Sequence, residues 1–371
     1  MEKRIIVAGL TCVDFTPKFD RNLGSEIKDI FIPGKNITMD GYSIAGGGIV
    51  VNTGLGLKKL GADVLPIGKI GNDFFGDIIQ SLFETYQAAD GLIRSEKTTT
   101  SFTLVMALPG IDRFFLHDPA ANDDFGIDDL DFEKIRSASI FLFGYPPLMK
   151  KIYQNQAEEL LSMYKKVKAL GVATALDMTE VDPNSEAENQ DWREIVKKVT
   201  PDVDLWLPSV GEICYMIDRD RYQRWKTAAG TRELTSVLTA DEMEPLADQL
   251  LDWGAKVVMF KCGEAGLFLK TGSIDRVREV GGGLLADPAA WANLRHFEKS
   301  YKPAQVLSGT GAGDTCNAAF LLAVSRGYPW LRCLQLAAGT GASCVEAYDS
   351  LSGLRSFEEL EAKIDAGWEK I

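Results

Sequence analysis

Short apolar runs alternate with helical stretches along most of this sequence, and this alternation limits the possible folds more than any other feature. Apolar runs predict buried strands at residues 4–9, 64–68, 139–143, 172–176 and 256–260. Stretches with the spacing of amphipathic helices separate these predicted strands. A strand, a helix and a second strand in this order form a parallel βαβ unit. The sequence therefore predicts a mostly parallel sheet covered by helices on both faces.

Two segments lack helical spacing, residues 11–45 and residues 98–118. The first has short apolar stretches broken by glycine and proline, and the second contains the β-rich run TTTSFTLVMAL. We expect the two segments to pair as a small separate sheet that projects as a lid. The main α/β domain is then predicted from residues 1–10, 46–97 and 119–371. Residues 215–243, which are rich in charge, and residues 281–303 are predicted as surface insertions.

The balance of charges excludes several classes of partner. The 371-residue chain has 40 Lys and Arg against 53 Asp and Glu, a net charge of −13. A negative protein without a basic stripe repels nucleic-acid backbones, so no nucleic-acid partner is expected. No apolar run approaches the about 20 residues needed to cross a bilayer, so no membrane partner is expected either. The opening MEKRIIVAGL has too short an apolar run for a signal peptide, which predicts a cytoplasmic protein.

Cysteine and histidine are poorly placed for metal binding. The six cysteines form no CxxC pair, and the two histidines, His117 and His296, lie far apart in the sequence. A zinc site built from Cys and His is therefore poorly supported, and reduced, buried thiols are predicted. With two histidines, a Ser-His-Asp hydrolase is poorly supported as well.

The strongest local motif is SGTGAGDT at residues 308–315, which a helical run follows directly. The small residues Gly311, Ala312 and Gly313 allow backbone amides at a helix N-terminus to approach a phosphate closely. Asp314 would lie in the first helical turn, where its carboxylate can take a proton from a hydroxyl group. A base beside an anion hole is what phosphoryl transfer to an alcohol requires. The alternative is an ordinary glycine turn in which Asp314 caps the helix.

Two regions of the sequence together resemble the signature regions of the PfkB carbohydrate kinases, also called the ribokinase family. The first region includes the glycines at residues 46–48, Asn52, the stretch IGKIGND at residues 67–73, and Gly76. The second region is GAGDT at residues 311–315. One motif lies near each end of the chain, in the order and at the separation that the family has.

The resemblance covers most of the chain and implies both a fold and an activity. The implied fold is a ribokinase-like three-layer α/β/α sandwich with a small β-sheet lid. The implied activity is transfer of the γ-phosphoryl group of ATP, with Mg²⁺, to a hydroxyl of a sugar or related small molecule. Lids of this family often pair across a dimer, so a homodimer is expected. Sugars, sugar acids, sugar phosphates and nucleosides are all acceptors in the superfamily, and the sequence does not choose among them.

The resemblance also implies roles for single residues. The residues implied to bind the acceptor are Asp14, Gly46, Gly47, Asn52 and Arg113. Those implied to lie on the nucleotide side are Ser209, Glu212, Lys261, Gly263 and Gly266. Glu212 would hold Mg²⁺ through water. Asp314 would be the catalytic base, with Gly311, Ala312 and Gly313 as the anion hole.

Several of these residues also have a purely structural interpretation. Asp14 and Asn52 suit turn or capping positions. Arg113 suits a solvated surface arginine equally well, and Lys261 suits a lysine at the end of a strand that points to water. Tyr145, at the end of a predicted strand, suits core packing as well as stacking on a sugar.

Two positions depart from the family pattern. Ser209 replaces the asparagine of an Asn-x-x-Glu motif that helps to organise Mg²⁺ and phosphate, although Glu212 is retained. Ser308 replaces an aspartate whose loop helps to bind a monovalent cation in several relatives, which leaves a K⁺ requirement open.

These departures keep one rival open, a non-catalytic relative that binds a sugar or nucleotide as a regulator. A second rival, a nicotinamide-dependent oxidoreductase, would need GxGxxG directly after the first strand, where this chain has GLTCVD at residues 9–14.

Overall fold

The computed structural model describes residues 4–19, 24, 26–109 and 114–371. In this part of the chain the strands form two sheets. The strands are β1 (Ile5–Gly9), β2 (Cys12–Lys18), β3 (Gly41–Gly47), β4 (Val64–Gly71), β5 (Leu92–Ser95), β6 (Phe102–Met106), β7 (Phe114–Asp118), β8 (Ile140–Gly144), β9 (Ala173–Asp177), β10 (Leu205–Trp206), β11 (Val257–Lys261), β12 (Gly266–Thr271) and β13 (Arg295–Lys299).

The larger sheet has nine strands in the order β13-β12-β11-β10-β9-β8-β1-β4-β5. The neighbours from β11 to β5 pair in parallel, whereas β12 is antiparallel to both β11 and β13. All five residues of β1 are buried. A strand that is covered on both faces has a continuous run of apolar residues in its sequence. The sequence therefore predicts the central strands well.

The α-helices cover this sheet on both faces. They are α1 (Ile27–Ile30), α2 (Gly56–Lys59), α3 (Phe74–Thr85), α4 (Phe132–Arg136), α5 (Lys150–Ala169), α6 (Trp192–Val199), α7 (Val210–Ile217), α8 (Arg219–Ala229), α9 (Ala240–Asp252), α10 (Ile274–Val277), α11 (Ala312–Ser325), α12 (Trp330–Cys344) and α13 (Phe357–Asp365). A π-helical segment, Val50–Leu55, leads directly into α2. None of the described helices is long and apolar enough to cross a membrane.

Alternate residues of β1 show how the layers are held together. Ile5 and Val7 belong to an apolar cluster that contains the buried side chains of α11 and α12. Ile6 and Ala8 belong to a second cluster that contains those of α5 and α6. Because successive side chains of a strand point to opposite faces, the sheet lies between two helical layers. This arrangement confirms the predicted three-layer α/β/α sandwich.

The smaller sheet has four strands in the order β3-β2-β6-β7. β2 is antiparallel to β3 and parallel to β6, and β6 is antiparallel to β7. Asp14 is aligned with Thr103, which is aligned with His117. Residues aligned across neighbouring strands share a face, so these three side chains lie on one face of the smaller sheet.

The two predicted surface insertions are wrong. Within residues 281–303, β13 (Arg295–Lys299) pairs with β12 as an edge strand of the larger sheet. Its sequence RHFEK has no apolar run, because an edge strand does not need one. Residues 215–243 form the end of α7, all of α8 and the start of α9, and Trp225 and Met243 are buried in the core. Charges on the outer face of α8 hid its apolar side.

Candidate active site

A cleft of about 840 Å³ opens at the carboxyl ends of the central strands. Tyr145 directly follows β8, Met178 directly follows β9, and Lys261 ends β11, and all three line the cleft. Side chains of the smaller sheet line it from the other side. In open α/β sheets this edge is where ligands bind.

The N-terminus of α11 points into this cleft. Gly311, the residue before the helix, has a φ of 73°, a left-handed conformation that favours glycine. A Cβ at Gly311 would also lie 2.3 Å from the Cβ of Ser350. Gly311, Gly313 and Asp314 line the cleft, and Ala312 begins the helix beside them. The first N–H groups of a helix have no partner within the helix, so this end can hold an anion.

Two side chains hold the carboxylate of Asp314, which is 5% exposed. The Asn52 amide donates to Oδ2 at 2.9 Å. The Tyr145 hydroxyl lies 2.7 Å from Oδ1 and 2.8 Å from Oδ2, so it donates between the two oxygens. Ser350 Oγ donates to Asn52 Oδ1 at 2.7 Å and fixes the orientation of that amide. Asn52 therefore lines the cleft and also positions Asp314.

A buried ion pair lies behind Asp314. The Lys261 ammonium is 2.6 and 2.8 Å from the two oxygens of Asp177, and Asn317 Nδ2 donates to Asp177 at 2.8 Å. Burial raises the pKa of Asp177 to about 6, although the Lys261 ammonium opposes this shift. Burial also disfavours the charged form of Lys261, but Asp177, Glu212 and Asp314 outweigh it and raise the pKa of the ammonium. Lys261 thus stays a cation at the wall of the cleft.

Asp14 lies on the face of the smaller sheet that lines the cleft. Burial raises the pKa of Asp14 to about 6, and the charge of Asp314 adds to that rise. A Cβ at Gly47 would lie 2.4 Å from Asp14 Oδ2, so Gly47 leaves room for the carboxylate. A Cβ at Gly46 would instead lie 2.6 Å from Leu82. Gly46 thus packs toward α3, and neither glycine is among the residues that line the cleft.

Ser209 and Glu212 line the cleft next to Lys261. Ser209 N–H donates to Glu212 Oε2 at 2.9 Å. Burial raises the pKa of Glu212 to about 8, and Asp177 contributes to that rise. The Lys261 ammonium opposes this rise in the pKa of Glu212. Among the described residues, no three Cys, His, Asp or Glu side chains converge as a direct set of metal ligands.

Other predicted residues lie elsewhere. Gly263 and Gly266 form the turn between β11 and β12, and neither lines the cleft. Gly266 has a φ of +128°, and a Cβ there would lie 2.1 Å from the Glu298 carbonyl oxygen, so its role in this structure is in the turn. Arg113 lies outside the described residues.

The sequence analysis assigned no functional role to Asp177, Asn317 or His117, and it considered Tyr145 only for stacking on a sugar, not for binding Asp314. Two of them had a usable signal, since Asp177 directly follows one predicted strand and Tyr145 follows another after a single glycine. Residues at the carboxyl ends of parallel strands are candidates for a site by position alone. Asn317 and His117 carried no such signal.

Comparison with known proteins agrees with this fold. Residues 3–355 match the model of the pfkB family of carbohydrate kinases. An uncharacterized sugar kinase of Archaeoglobus fulgidus is 26% identical over 306 residues, 81% of this chain and 98% of that protein. A 5-dehydro-2-deoxygluconokinase of Clostridium perfringens is 21% identical over 336 residues, 85% of this chain and 84% of that protein. The structure of Arabidopsis thaliana ribokinase complexed with ribose and ATP superposes with a TM-score of 0.70 at 19% identity and covers 98% of each chain.

The fold is therefore that of the ribokinase-like α/β proteins. The chain belongs to the pfkB family of carbohydrate kinases, because the family match covers nearly its whole length. It is a sugar kinase, a phosphotransferase with an alcohol acceptor. This membership excludes the nicotinamide-dependent oxidoreductase.

Proposed function

We propose that this protein transfers the γ-phosphoryl group of ATP to a hydroxyl of a sugar-like acceptor, with Asp314 as the catalytic base. The observation that carries this proposal is the position of Asp314, in the first turn of α11, at the wall of the cleft and beside the helix N-terminus. A base and an anion-binding helix end occur there within one turn of helix. Both are needed for attack of an alcohol on a phosphoryl group.

In the proposed reaction, Asp314 takes the proton of the acceptor hydroxyl while the oxygen of that hydroxyl attacks the γ-phosphorus of ATP. ADP is the leaving group. N–H groups at Gly311, Ala312 and Gly313 stabilise the negative charge on the transferred phosphoryl oxygens. Lys261 adds a positive charge beside Gly313, since a Cβ at Gly313 would lie 3.2 Å from Lys261 Cδ. The acceptor lies between Asp314 and the smaller sheet, where Asp14 lines the cleft.

The residues present also fit Mg²⁺ on the nucleotide side. Glu212 offers a carboxyl at the wall of the same cleft into which the N-terminus of α11 points. Glu212 would hold the ion through water, with Ser209 beside it. The ion supplies charge neutralisation for the phosphates when it is bound.

Replacement of Asp314 by Asn tests the base. Because general base catalysis typically contributes about 10² to 10⁴ in rate, we expect Asp314→Asn to lose kcat by about that factor, with ATP binding retained. The matched control is Asp252→Asn, an exposed position at the end of α9. Steady-state ADP release and calorimetric ATP titration provide the two readouts. A kcat for Asp314→Asn near that of the control would overturn the role of the base.

The non-catalytic relative is the second candidate; it rests on Ser209 and Ser308 alone, and membership of a family of sugar kinases counts against it. Ser308 Oγ accepts a hydrogen bond from Thr310 N–H at 3.1 Å, so its hydroxyl is used within the loop. ADP release against a panel of acceptors, with and without K⁺, separates the two candidates and tests the cation requirement. ATP binding without turnover on any acceptor favours the regulator.

A further inference from the structure

We propose that the acceptor of this kinase is an uncharged polyol and that His117 is one of the residues that hold its hydroxyl groups. The proposal rests on the proposed kinase function and names the acceptor class of the same cleft. It starts from the end of the cleft that the smaller sheet lines, which we call the acceptor end.

His117 lies on the same face of the smaller sheet as Asp14. The register aligns Asp14 with Thr103 and Thr103 with His117, so the three side chains form a row across β2, β6 and β7. His117 Nδ1 and Thr103 Oγ1 are 3.0 Å apart. All three residues line the cleft. The row therefore presents a carboxylate, a hydroxyl and an imidazole to one ligand.

The other ring nitrogen of His117, Nε2, makes no hydrogen bond within the described part of the protein. Nε2 is buried and lacks a hydrogen-bond partner among the described residues. Such a buried polar atom costs free energy unless a ligand or water satisfies it. Burial also lowers the pKa of His117, so its imidazole is neutral near pH 7. A neutral imidazole can donate to or accept from a hydroxyl group, which does both as well.

The charges at the acceptor end select against an anionic ligand. Asp14 and Asp123 line this end, and Asp314 lies at its border. The described residues that line the acceptor end include no Lys or Arg. Lys261 lines the nucleotide side and is paired with Asp177. A carboxylate or phosphate on the acceptor would add like charge to these aspartates at short range.

Carbon-rich side chains complete the acceptor end. Phe115, Pro147, Leu148 and Tyr153 also line the cleft. Aromatic and aliphatic surfaces pack against the C–H faces of a ring, while carboxylate and imidazole groups bind its hydroxyls. This combination suits a neutral sugar or nucleoside better than a sugar acid or sugar phosphate.

Matched pairs of acceptors test the proposed class. Each pair joins an uncharged compound to its charged counterpart, such as fructose and fructose 6-phosphate, glucose and gluconate, or adenosine and AMP. The readouts are ADP release, and calorimetric binding in the presence of a non-hydrolysable ATP analogue. We expect the highest kcat/KM and the tightest binding for an uncharged member. The proposal is overturned if a phosphate or carboxylate acceptor has the highest kcat/KM, or if no uncharged compound binds.

The binding readout separates this proposal from the kinase function on which it rests. Binding of an uncharged polyol without ADP release supports the acceptor class and counts against catalysis. Rapid turnover of a charged acceptor supports catalysis and overturns the acceptor class.

Two variants of His117 test its own role. His117→Asn keeps a polar atom near the position of Nδ1, next to Thr103, and removes the one at Nε2. His117→Gln can place an amide near the position of Nε2. Because one lost hydrogen bond corresponds to about tenfold in binding, we expect His117→Asn to raise the acceptor KM about tenfold, with the ATP KM unchanged. His117→Gln should restore part of the loss.

His296→Asn is the control, because His296 is the only other histidine in the chain and lies on β13, away from the cleft. An acceptor KM for His117→Asn equal to that of this control would overturn the role of His117. Thermal unfolding of all three variants identifies any rise in the acceptor KM that comes from misfolding.

Discussion

At the scale of single residues, Asp314 depends on two partners that are distant in sequence. Asn52 binds one carboxylate oxygen, and the Tyr145 hydroxyl lies against both. Tyr145 has a φ of 67°, an unusual value for a residue with a large side chain. A backbone held in this conformation at a cleft is consistent with a functional constraint on the side chain. We infer that Tyr145 keeps Asp314 oriented until the acceptor hydroxyl arrives.

Removal of the Tyr145 hydroxyl should therefore impair the chemical step. In Tyr145→Phe the carboxylate loses one donor, and we expect kcat to fall about tenfold, as for one charge-assisted hydrogen bond, with the ATP KM unchanged. Steady-state kinetics measures both constants. Tyr153→Phe is the matched control, since Tyr153 lines the same cleft and has no described contact with Asp314. Equal kcat values for the two variants would contradict this role of Tyr145.

A second prediction at this scale concerns pH. Burial raises the pKa of Asp14 to about 6, so its carboxylate becomes protonated as the pH falls through that value. The ionised carboxylate accepts stronger, charge-assisted hydrogen bonds from hydroxyl groups than the protonated form does, so acceptor binding should weaken below pH 6. We expect the acceptor KM to rise toward about tenfold per pH unit below the pKa, and Asp14→Asn to remove this dependence. A flat profile of acceptor KM between pH 5 and 7 in the wild-type protein would contradict it.

At the scale of elements, the N-terminus of α11 depends on the glycine before it. Gly311 and Gly327, at the two ends of α11, both have a φ of 73°. A Cβ at Gly311 would lie 2.3 Å from Ser350 Cβ, whereas the nearest neighbour of a Cβ at Gly327 is 3.9 Å away. Ala at either position incurs the cost of the left-handed conformation, about 1 to 2 kcal/mol. Only Ala at Gly311 adds a clash.

The pair Gly311→Ala and Gly327→Ala thus separates backbone strain from damage to the site. We expect both variants to lose stability in thermal unfolding, and Gly311→Ala to lose more. Only Gly311→Ala should also raise the ATP KM, because the clash displaces the anion-binding turn. An unchanged ATP KM in Gly311→Ala would show that this turn does not contact the nucleotide.

The strands and helices differ in whether their positions could be predicted from the sequence. β1, β8, β9 and β11 are buried on both faces and read as apolar runs, so their positions follow from hydrophobicity alone. β13 lies at the edge of the larger sheet, where a strand can consist of partly exposed polar residues. The sequence pattern of β13 therefore cannot be distinguished from that of a loop. The sequence did not predict α8, because most of its residues are charged or polar. Its one buried tryptophan and one buried alanine are too few to show a helical period of apolar residues.

At the scale of the whole molecule, the site consists of contacts that no local pattern encodes. Asn52 and Asp314 are 262 residues apart, and Lys261 and Asp177 are 84 residues apart. Asn52 and Asp314 belong to the two motifs and Lys261 was implied by the family resemblance, so three of these four residues could be predicted. Asp177 could be placed only once the order of β9 and β11 in the sheet was known. The row of Asp14, Thr103 and His117 likewise depends on the register of three strands.

The outer face of the smaller sheet is the candidate contact surface for the predicted homodimer. Tyr42 and Ile44 on β3 and Leu116 on β7 are 59%, 38% and 54% exposed, and Phe15 stacks on Tyr42 with ring centroids 5.1 Å apart. By alternation along the strands these side chains point away from the cleft. Contiguous exposed apolar side chains on a sheet usually mark a contact surface. We expect this face to pack against the same face of a second copy.

Adjacent residues of β3 provide the test, because they point to opposite faces. Ile44→Asp places a charge on the outer face, whereas Ser43→Asp places the same charge on an exposed position of the opposite face. Sedimentation velocity should show a dimer for the wild-type protein and for Ser43→Asp, and a monomer for Ile44→Asp. A buried, unpaired aspartate destabilises an apolar contact by several kcal/mol, which is enough to dissociate a dimer of micromolar affinity. A dimer that survives Ile44→Asp unchanged would place the contact elsewhere, and a monomeric wild-type protein would refute the homodimer.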